Sequence, residues 1–412
     1  MGRSEQDLLI DYALEHFPCK SAVITCRAAA RIFKKIALSP PREGLIMHLY
    51  ICSRADCSKT SRKGNPEFYR SMQIKGILKH ILVPAVALAL GATAQAASGS
   101  SCTTQAQMTA QQRSDLVNAA KMLVGDVQSG SIQALRDNTL ASVSANFSGI
   151  ANSATTLEPK IKAAWITVDA LYTFESGSDG SGGAQFFCTP TGSTTTIVLN
   201  FSSLPEGKYA LAIAHATGVP EPQQISLILA NEAGQWQLAG FFSKPLLLNQ
   251  HDGIWYWRQA RQYARQKMDW SAWFYYQIAE YLVEPANFIS SPNLEKLLHE
   301  ADQAKPQNLP GPLPQMIQAN GQSFEVMRVD TSNRLGPLDF VVYYTPDDTQ
   351  AAALNDPAKA RQQVVELMSA ILQQHPGLRQ AFHGVWVFAS TGNIVHFSLE
   401  LPMDQIPSSL AG

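Results

Sequence analysis

The chain reads as an α+β protein on three observations. Apolar residues recur at helical spacing after residue 105, the period switches to two from residue 163, and helical density returns between 249 and 306. The expected architecture is a helix-plus-curved antiparallel sheet closing as a cone (103–248), then an α-helical hairpin segment (249–306). A Pro-rich linker (307–319) and a small β-β-α-β-β domain (320–412) follow. Residues 1–96 stand apart from this plan.

Residues 72–96 read "MQIKGILKHILVPAVALALGATAQA". Lys75 and Lys79 supply a positive n-region, Ile81 to Ala94 an apolar run, and Ala94-Gln95-Ala96 a small-residue cleavage site. These are the parts of a secretory signal peptide. The apolar run is about 14 residues, short of the ~20 that span a bilayer, so a membrane anchor is the weaker reading. A signal peptide belongs at the N-terminus, yet residues 1–71 precede this one. They are expected to be a non-native or disordered extension from a start assigned too early, with Met72 as the true start; a genuine extension is the alternative. The Cys19/Cys26 and Cys52/Cys57 spacings do not match a CxxC zinc site.

From Ala97 onward there are 18 Lys+Arg against 26 Asp+Glu, a net charge of −8. An acidic chain with no predominant basic surface is a poor nucleic-acid binder. The expected destination is secreted or periplasmic, after cleavage near Ala96, with no stable membrane span in the mature chain. Two cysteines remain there, Cys102 and Cys188, and in an oxidising compartment two thiols most simply pair. Gly99-Ser100-Ser101 lacks the leucine of a lipobox, which disfavours a lipoprotein.

The elements of the cone follow in order. "AQQRSDLVNAAKMLVGDV" sets Leu116, Ala119/Ala120, Leu123 and Val127 at helical spacing, and "SIQALRDNTL" suggests a second, shorter helix. In "WITVDALYTFE" strict alternation puts Ile166, Val168, Ala170, Tyr172 and Phe174 on one strand face. Asp169 and Glu175 then point to solvent. "TTIVLNF", "YALAIAHA", "ISLILA" and "WQLAGFF" are further strands, the last two joined by a hairpin at "NEAGQ". The run "AAKMLVGDVQSGSIQALRDNTL" followed by strands and ending in "ISLILANEAGQWQLAGFFSKP" resembles the nuclear-transport-factor-2-like (ketosteroid-isomerase-like) fold over roughly residues 105–247. Such folds host isomerases, dehydratases, binding modules and silent scaffolds, so the resemblance alone decides no function.

Residues 255–282, "WYWRQARQYARQKMDWSAWFYYQIAEYL", hold four of the seven tryptophans and five of the twelve tyrosines. The stretch resembles one tetratricopeptide repeat. Tyr256, Ala260 and Tyr263 take first-helix positions; Ala272, Tyr276 and Ala279 take those of the second; Pro285 sits one residue past the usual proline. A single unit cannot bury a solenoid core, so the resemblance implies a helical hairpin with Tyr263 and Tyr276 between its helices. Trp255, Trp257, Trp270 and Trp273 exceed what two helices can cover, so they are expected to dock on a neighbouring domain of the same chain, a partner surface being the alternative. Arg258, Arg261 and Arg265 fall on one face, either solvated, paired with a neighbour, or forming an anion- or partner-binding stripe.

In the last module "SFEVMRVDTS" and "LDFVVYYTP" read as strands. Asp356 caps a helix with Pro357 at its first position and Val364, Leu367/Met368 and Ile371/Leu372 as its buried stripe. "GVWVFAS" and "IVHFSLEL", turned at Thr391-Gly392-Asn393, complete it.

Catalytic motifs are sparse. There is no G-x-S-x-G elbow, Gly207-Lys208 has Ser202 where a phosphate loop needs its first glycine, and "ESGSDGSGGAQ" lacks the Lys-Ser/Thr ending. "HEADQ" places Gln303 where the second zinc histidine would stand, leaving His299 an ordinary surface residue, and no metal ligand set is expected. On "YALAIAHA", His215 continues the face of Tyr209, Leu211 and Ile213, and Tyr172 is its matching donor; both are candidates for ligand binding. The reading favours a secreted or periplasmic, non-enzymatic binding or assembly protein without a cofactor, taking a protein partner or a small apolar ligand. The contrasting reading is a small-molecule isomerase or hydrolase using a cone pocket around His215.

Overall fold

The computed structural model describes residues 100–177, 182–311 and 313–408. The segments expected to be an extension (1–71) and a signal peptide (72–96) lie outside the described residues. Two short strands, β1 (Ser100–Ser101) and β2 (Thr103–Thr104), lead through a 3₁₀ turn to α1 (Ala110–Gln128), α2 (Ile132–Asp137), α3 (Ala141–Ser144) and α4 (Ser148–Ile161). Six strands follow: β3 (Trp165–Ser176), β4 (Ala184–Cys188), β5 (Ile197–Phe201), β6 (Gly207–Thr217), β7 (Gln223–Glu232) and β8 (Gln235–Pro245). The hairpin helices are α5 (Gly253–Arg265) and α6 (Asp269–Val283), then β9 (Ile289–Ser290) and α7 (Pro292–Ala304). The chain continues through β10 (Gln315–Ala319), β11 (Gln322–Ser332), β12 (Asp339–Thr345), α8 (Asp348–Ala353), α9 (Pro357–Gln374) and α10 (Leu378–Ala381). It ends with β13 (Gly384–Thr391) and β14 (Ile394–Pro402). The protein is α+β, with mixed and antiparallel sheets.

The first five-stranded sheet has the order β2-β3-β6-β7-β8 and is antiparallel. Thr109 caps α1 through a capping box with Gln112, fixing where the helix begins. Its stripe of Leu116, Ala120, Leu123, Val124 and Val127 packs with Ala210, Ala212, Ala214 and Ala216 of β6, all fully buried. Alanines under a helix allow close approach, and Leu171, Ile225, Leu227 and Leu229 fill what remains. The hairpin after β7 places Ala233 (φ 50) and Gly234 (φ 85) at left-handed positions, as a tight two-residue turn requires.

The other face of this sheet is also covered. A four-stranded sheet, β1-β4-β5-β9, packs Phe186, Leu199, Phe288 and Ile289 onto Tyr172, Phe174, Tyr209, Leu211 and Ile228. Phe174 lies 4.7 Å from Phe186 and 6.0 Å from Tyr209, ring centre to ring centre. The chain crosses between the two sheets at Cys102, between β1 and β2, and there the disulfide to Cys188 pins it across a separation of 86 residues.

The structure departs from three expectations, one about β3 and two about the later segments. A β-bulge between Val168 and Ala170 breaks the alternation of β3. Ile166 and Val168 face the helices, whereas Ala170, Tyr172 and Phe174 face the small sheet. An extra residue in one strand shifts every later side chain to the opposite face. The segment after the hairpin is not helical throughout, because Ile289 and Ser290 form β9 against Leu199 and Val198. The expected linker contains β10, which pairs with β11.

The last sheet has the order β10-β11-β12-β13-β14, with β12 and β13 parallel and the other pairs antiparallel. The helices α8 to α10 carry the chain from β12 to β13, which is the connection a parallel pair needs. Asp356 accepts from the backbone of Ala358 and Lys359, starting α9, whose Val364, Leu367, Met368 and Ile371 are buried. One core joins this helix, the sheet face of Phe324, Phe340, Val342, Tyr344 and Val387, and the hairpin α5–α6. The hairpin helices meet tightly at Gly253, where an added Cβ would lie 2.6 Å from Val283 Cγ2.

Candidate functional site

Tyr172 and His215 are not brought together. Tyr172 pairs with Leu211 and His215 with Thr167, so they stand four β6 residues apart, about 13 Å at ~3.3 Å per residue. Tyr172 is buried among the aromatics between the sheets, and that burial pushes its hydroxyl pKa up. His215 does lie on the face of Tyr209, Leu211 and Ile213, but that face meets the small sheet and not the helices.

Asp169, expected to point to solvent, is the bulged residue and turns onto the face of His215. Its Oδ2 lies 2.5 Å from His215 Nδ1, with the aspartate side chain 45% and the histidine 26% exposed. Nε2 is 3.4 Å from Gln224 Oε1. The pair sits at the open end of the sheet beside Trp165, which is 77% exposed. Elsewhere in this unit an open hollow is polar, lined by Gln133, Arg136, Asp137, Ser144, Glu232 and Gln237.

The aromatic helices present a denser arrangement. Trp257 and Trp270 are buried; Trp255 and Trp273 are half-buried against the same core. Trp270 stacks on His375 at 4.0 Å and donates from Nε1 to Asn308 Oδ1 at 3.2 Å. Trp255 stacks on His251 at 3.7 Å, and Lys305 lies over Trp273 at 5.5 Å. Tyr263 and Tyr275 meet edge to face at 5.0 Å, while the hydroxyl of Tyr276 reaches Glu300 on α7 at 3.4 Å. Tyr275 donates to the Ala381 carbonyl at 2.5 Å, and burial drives its pKa far upward; burial pushes Tyr256 up to about 12.

The three arginines do not act alike. Arg258 and Arg265 are exposed. Arg261 donates twice to Glu300, from Nε at 2.6 Å and from Nη2 at 2.8 Å, and lies over the Trp257 ring at 4.2 Å. Trp257 Nε1 also donates to Glu300, at 2.8 Å. These donors hold the Glu300 carboxyl below its ordinary range, the Arg261 hydrogen bonds most of all. His299 is exposed and 3.0 Å from Gln303.

Sequence reasoning missed one cluster of chemical groups, Asp339, His383 and Glu400, gathered at one end of the last sheet. It also missed an aromatic row on the face of that sheet opposite α9. Tyr343 stacks on Phe388 at 5.0 Å, Trp386 lies 4.7 Å from Phe388, and the Arg328 guanidinium sits 4.1 Å over Tyr343. Strand alternation in "VVYYT" and "GVWVFAS" contains the signal for that row, since Tyr343, Trp386 and Phe388 alternate with core residues. Compared with known proteins, the chain matches no family model, no curated protein and no solved structure. Among the described residues no helix is long and apolar enough to cross a membrane.

Proposed function

We propose that the chain is an exported, secreted or periplasmic, non-enzymatic binding or assembly protein. Its first unit would be a nuclear-transport-factor-2-like scaffold without a working pocket. One observation carries the reading: the space between helices and first sheet is occupied by side chains from both layers, with Leu123, Val127, Leu171, Ala212 and Leu227 each at 0% exposure. A ligand site needs a concave, accessible surface there. The aromatic row of Tyr343, Trp386 and Phe388 with Arg328 supplies a surface where large side chains remain half-buried, of the composition that partner sites favour.

The isomerase or hydrolase reading draws on the Asp169–His215 contact, since a carboxylate on one ring nitrogen orients the other as a base. Against it, the other nitrogen faces Gln224 and the candidate donor Tyr172 is about 13 Å away.

Titration of the native chain with an apolar fluorescent probe should reveal no saturable one-to-one site. A stoichiometric site abolished by His215→Ala would instead establish a pocket and sink the scaffold reading. The export part has its own test. N-terminal sequencing of secreted or periplasmic protein should begin near Ala97, and recovery of intact Met1 there would refute cleavage.

A further inference from the structure

Asp339, His383 and Glu400 are 44 and 17 residues apart in sequence, and no spacing rule links them. The topology does. β12 runs parallel to β13 and β14 antiparallel to it, so the starts of the first two and the end of the third share one end of the sheet. Asp339 opens β12, His383 immediately precedes β13, and Glu400 faces Trp386 near the end of β14. Backbone bonds fix the histidine in place: its N–H donates to the Leu338 carbonyl and its carbonyl accepts from Met403, both at 2.9 Å.

The three side chains converge. His383 Nδ1 is 3.2 Å from Asp339 Oδ1 and 4.0 Å from Glu400 Oε1, and one donor atom of each residue lies within 4.8 Å of the others. Gly384 forms the floor. A Cβ there would stand 2.5 Å from Glu400 Oε1, 2.6 Å from the Leu401 carbonyl oxygen and 3.0 Å from Asp339 Oδ1, so glycine lets both the neighbouring strand and the two carboxylates close over the backbone. Asp339 is 1% exposed, and Glu400 Oε1 is buried with no hydrogen-bond partner. An unpartnered carboxylate oxygen beside a second buried carboxylate is costly unless a positive charge joins them.

We propose that Asp339, His383 and Glu400 form a divalent-cation site, with zinc the ion its donors fit best. Calcium and magnesium prefer all-oxygen sets, whereas one imidazole with two carboxylates suits a first-row ion such as zinc. A tetrahedral ion with bonds of about 2.1 Å wants donors about 3.4 Å apart. The His383–Asp339 separation is already 3.2 Å, and Glu400 closes the set by a small side-chain movement. Three protein donors leave one position open, on the side where the His383 side chain is 47% exposed.

The test is zinc titration calorimetry on the full chain with free thiols alkylated, which removes competing cysteines. Wild type should take up one zinc equivalent, and zinc, but not magnesium at the same concentration, should raise its Tm. His383→Ala and Glu400→Gln should each weaken that uptake at least tenfold. His383 is half-exposed, so its variant should fold; a circular dichroism spectrum like that of wild type checks this. Failure of wild type to bind zinc would overturn the proposal. Undiminished uptake by folded His383→Ala and Glu400→Gln would overturn it equally, placing the ion elsewhere.

Discussion

The two five-stranded sheets solve burial differently. The first is covered on both faces, by α1 and its neighbours on one and by the small sheet on the other, so β7 is buried along almost its whole length. The second has the helices on one face, and its last strand β14 is mostly exposed or half-buried. A strand buried on both faces reads as a near-continuous apolar run, as in "ISLILA", where the one polar residue, Ser226, is itself buried and donates to the Pro285 carbonyl; a one-sided strand keeps a polar alternate. The second sheet therefore has free positions on which chemistry can be placed. Its aromatic row and its acid–histidine cluster both lie there.

Breaking the first sheet's staple should give the largest effect. Replacing Cys102 and Cys188 by serine removes the constraint on an 86-residue separation, worth about 4–5 kcal/mol in the loop-entropy account. Urea unfolding should show the loss on the first sheet while the Trp270 environment melts later. A single coincident loss at both sheets would mean the two are one cooperative unit. Next, Trp270→Ala empties a site between α6, His375 and Phe340, costing about 3–5 kcal/mol, read as a lowered Tm with His215 and Asp169 undisturbed.

A smaller effect separates the hairpin by pH. Glu300 has its carboxyl pKa depressed in the folded state, so the stability it adds is present above the unfolded value near ~4.3 and is lost as pH falls through the folded one. Glu300→Gln should cost about 1–3 kcal/mol at neutral pH and flatten that acid limb in denaturant titrations. An unchanged limb would remove Glu300 from the account. The smallest effect belongs to Arg258→Ala and Arg265→Ala, both exposed, which should stay within about 0.5 kcal/mol.

Much of the coarse plan was legible because it rests on local signals. The Asp356-Pro357 cap, the helical stripe after it and the "NEAGQ" turn all depend on near neighbours. The bulge at Asp169 was not legible. Nothing in "WITVDALYTFE" distinguishes continuous alternation from a one-residue slip, and the slip turned Asp169 onto His215. β9 has two residues, too few to carry a period, and owes its conformation to β5. The surplus of tryptophan in the hairpin was legible as area that something must cover. Which surface covered it depended on tertiary packing, as did the gathering of Asp339, His383 and Glu400.

The central claim is that the aromatic helices are core shared with the second sheet and not a ligand platform. Native-state hydrogen exchange read by mass spectrometry tests it most directly, comparing peptides from α5 and α6 with peptides from β12 and β13. The shared core predicts the same opening free energy for the slowest amides of both, and an equal fall in both on Trp270→Ala. Hairpin amides exchanging orders of magnitude faster than the sheet, or a Trp270→Ala effect confined to the hairpin, would contradict it.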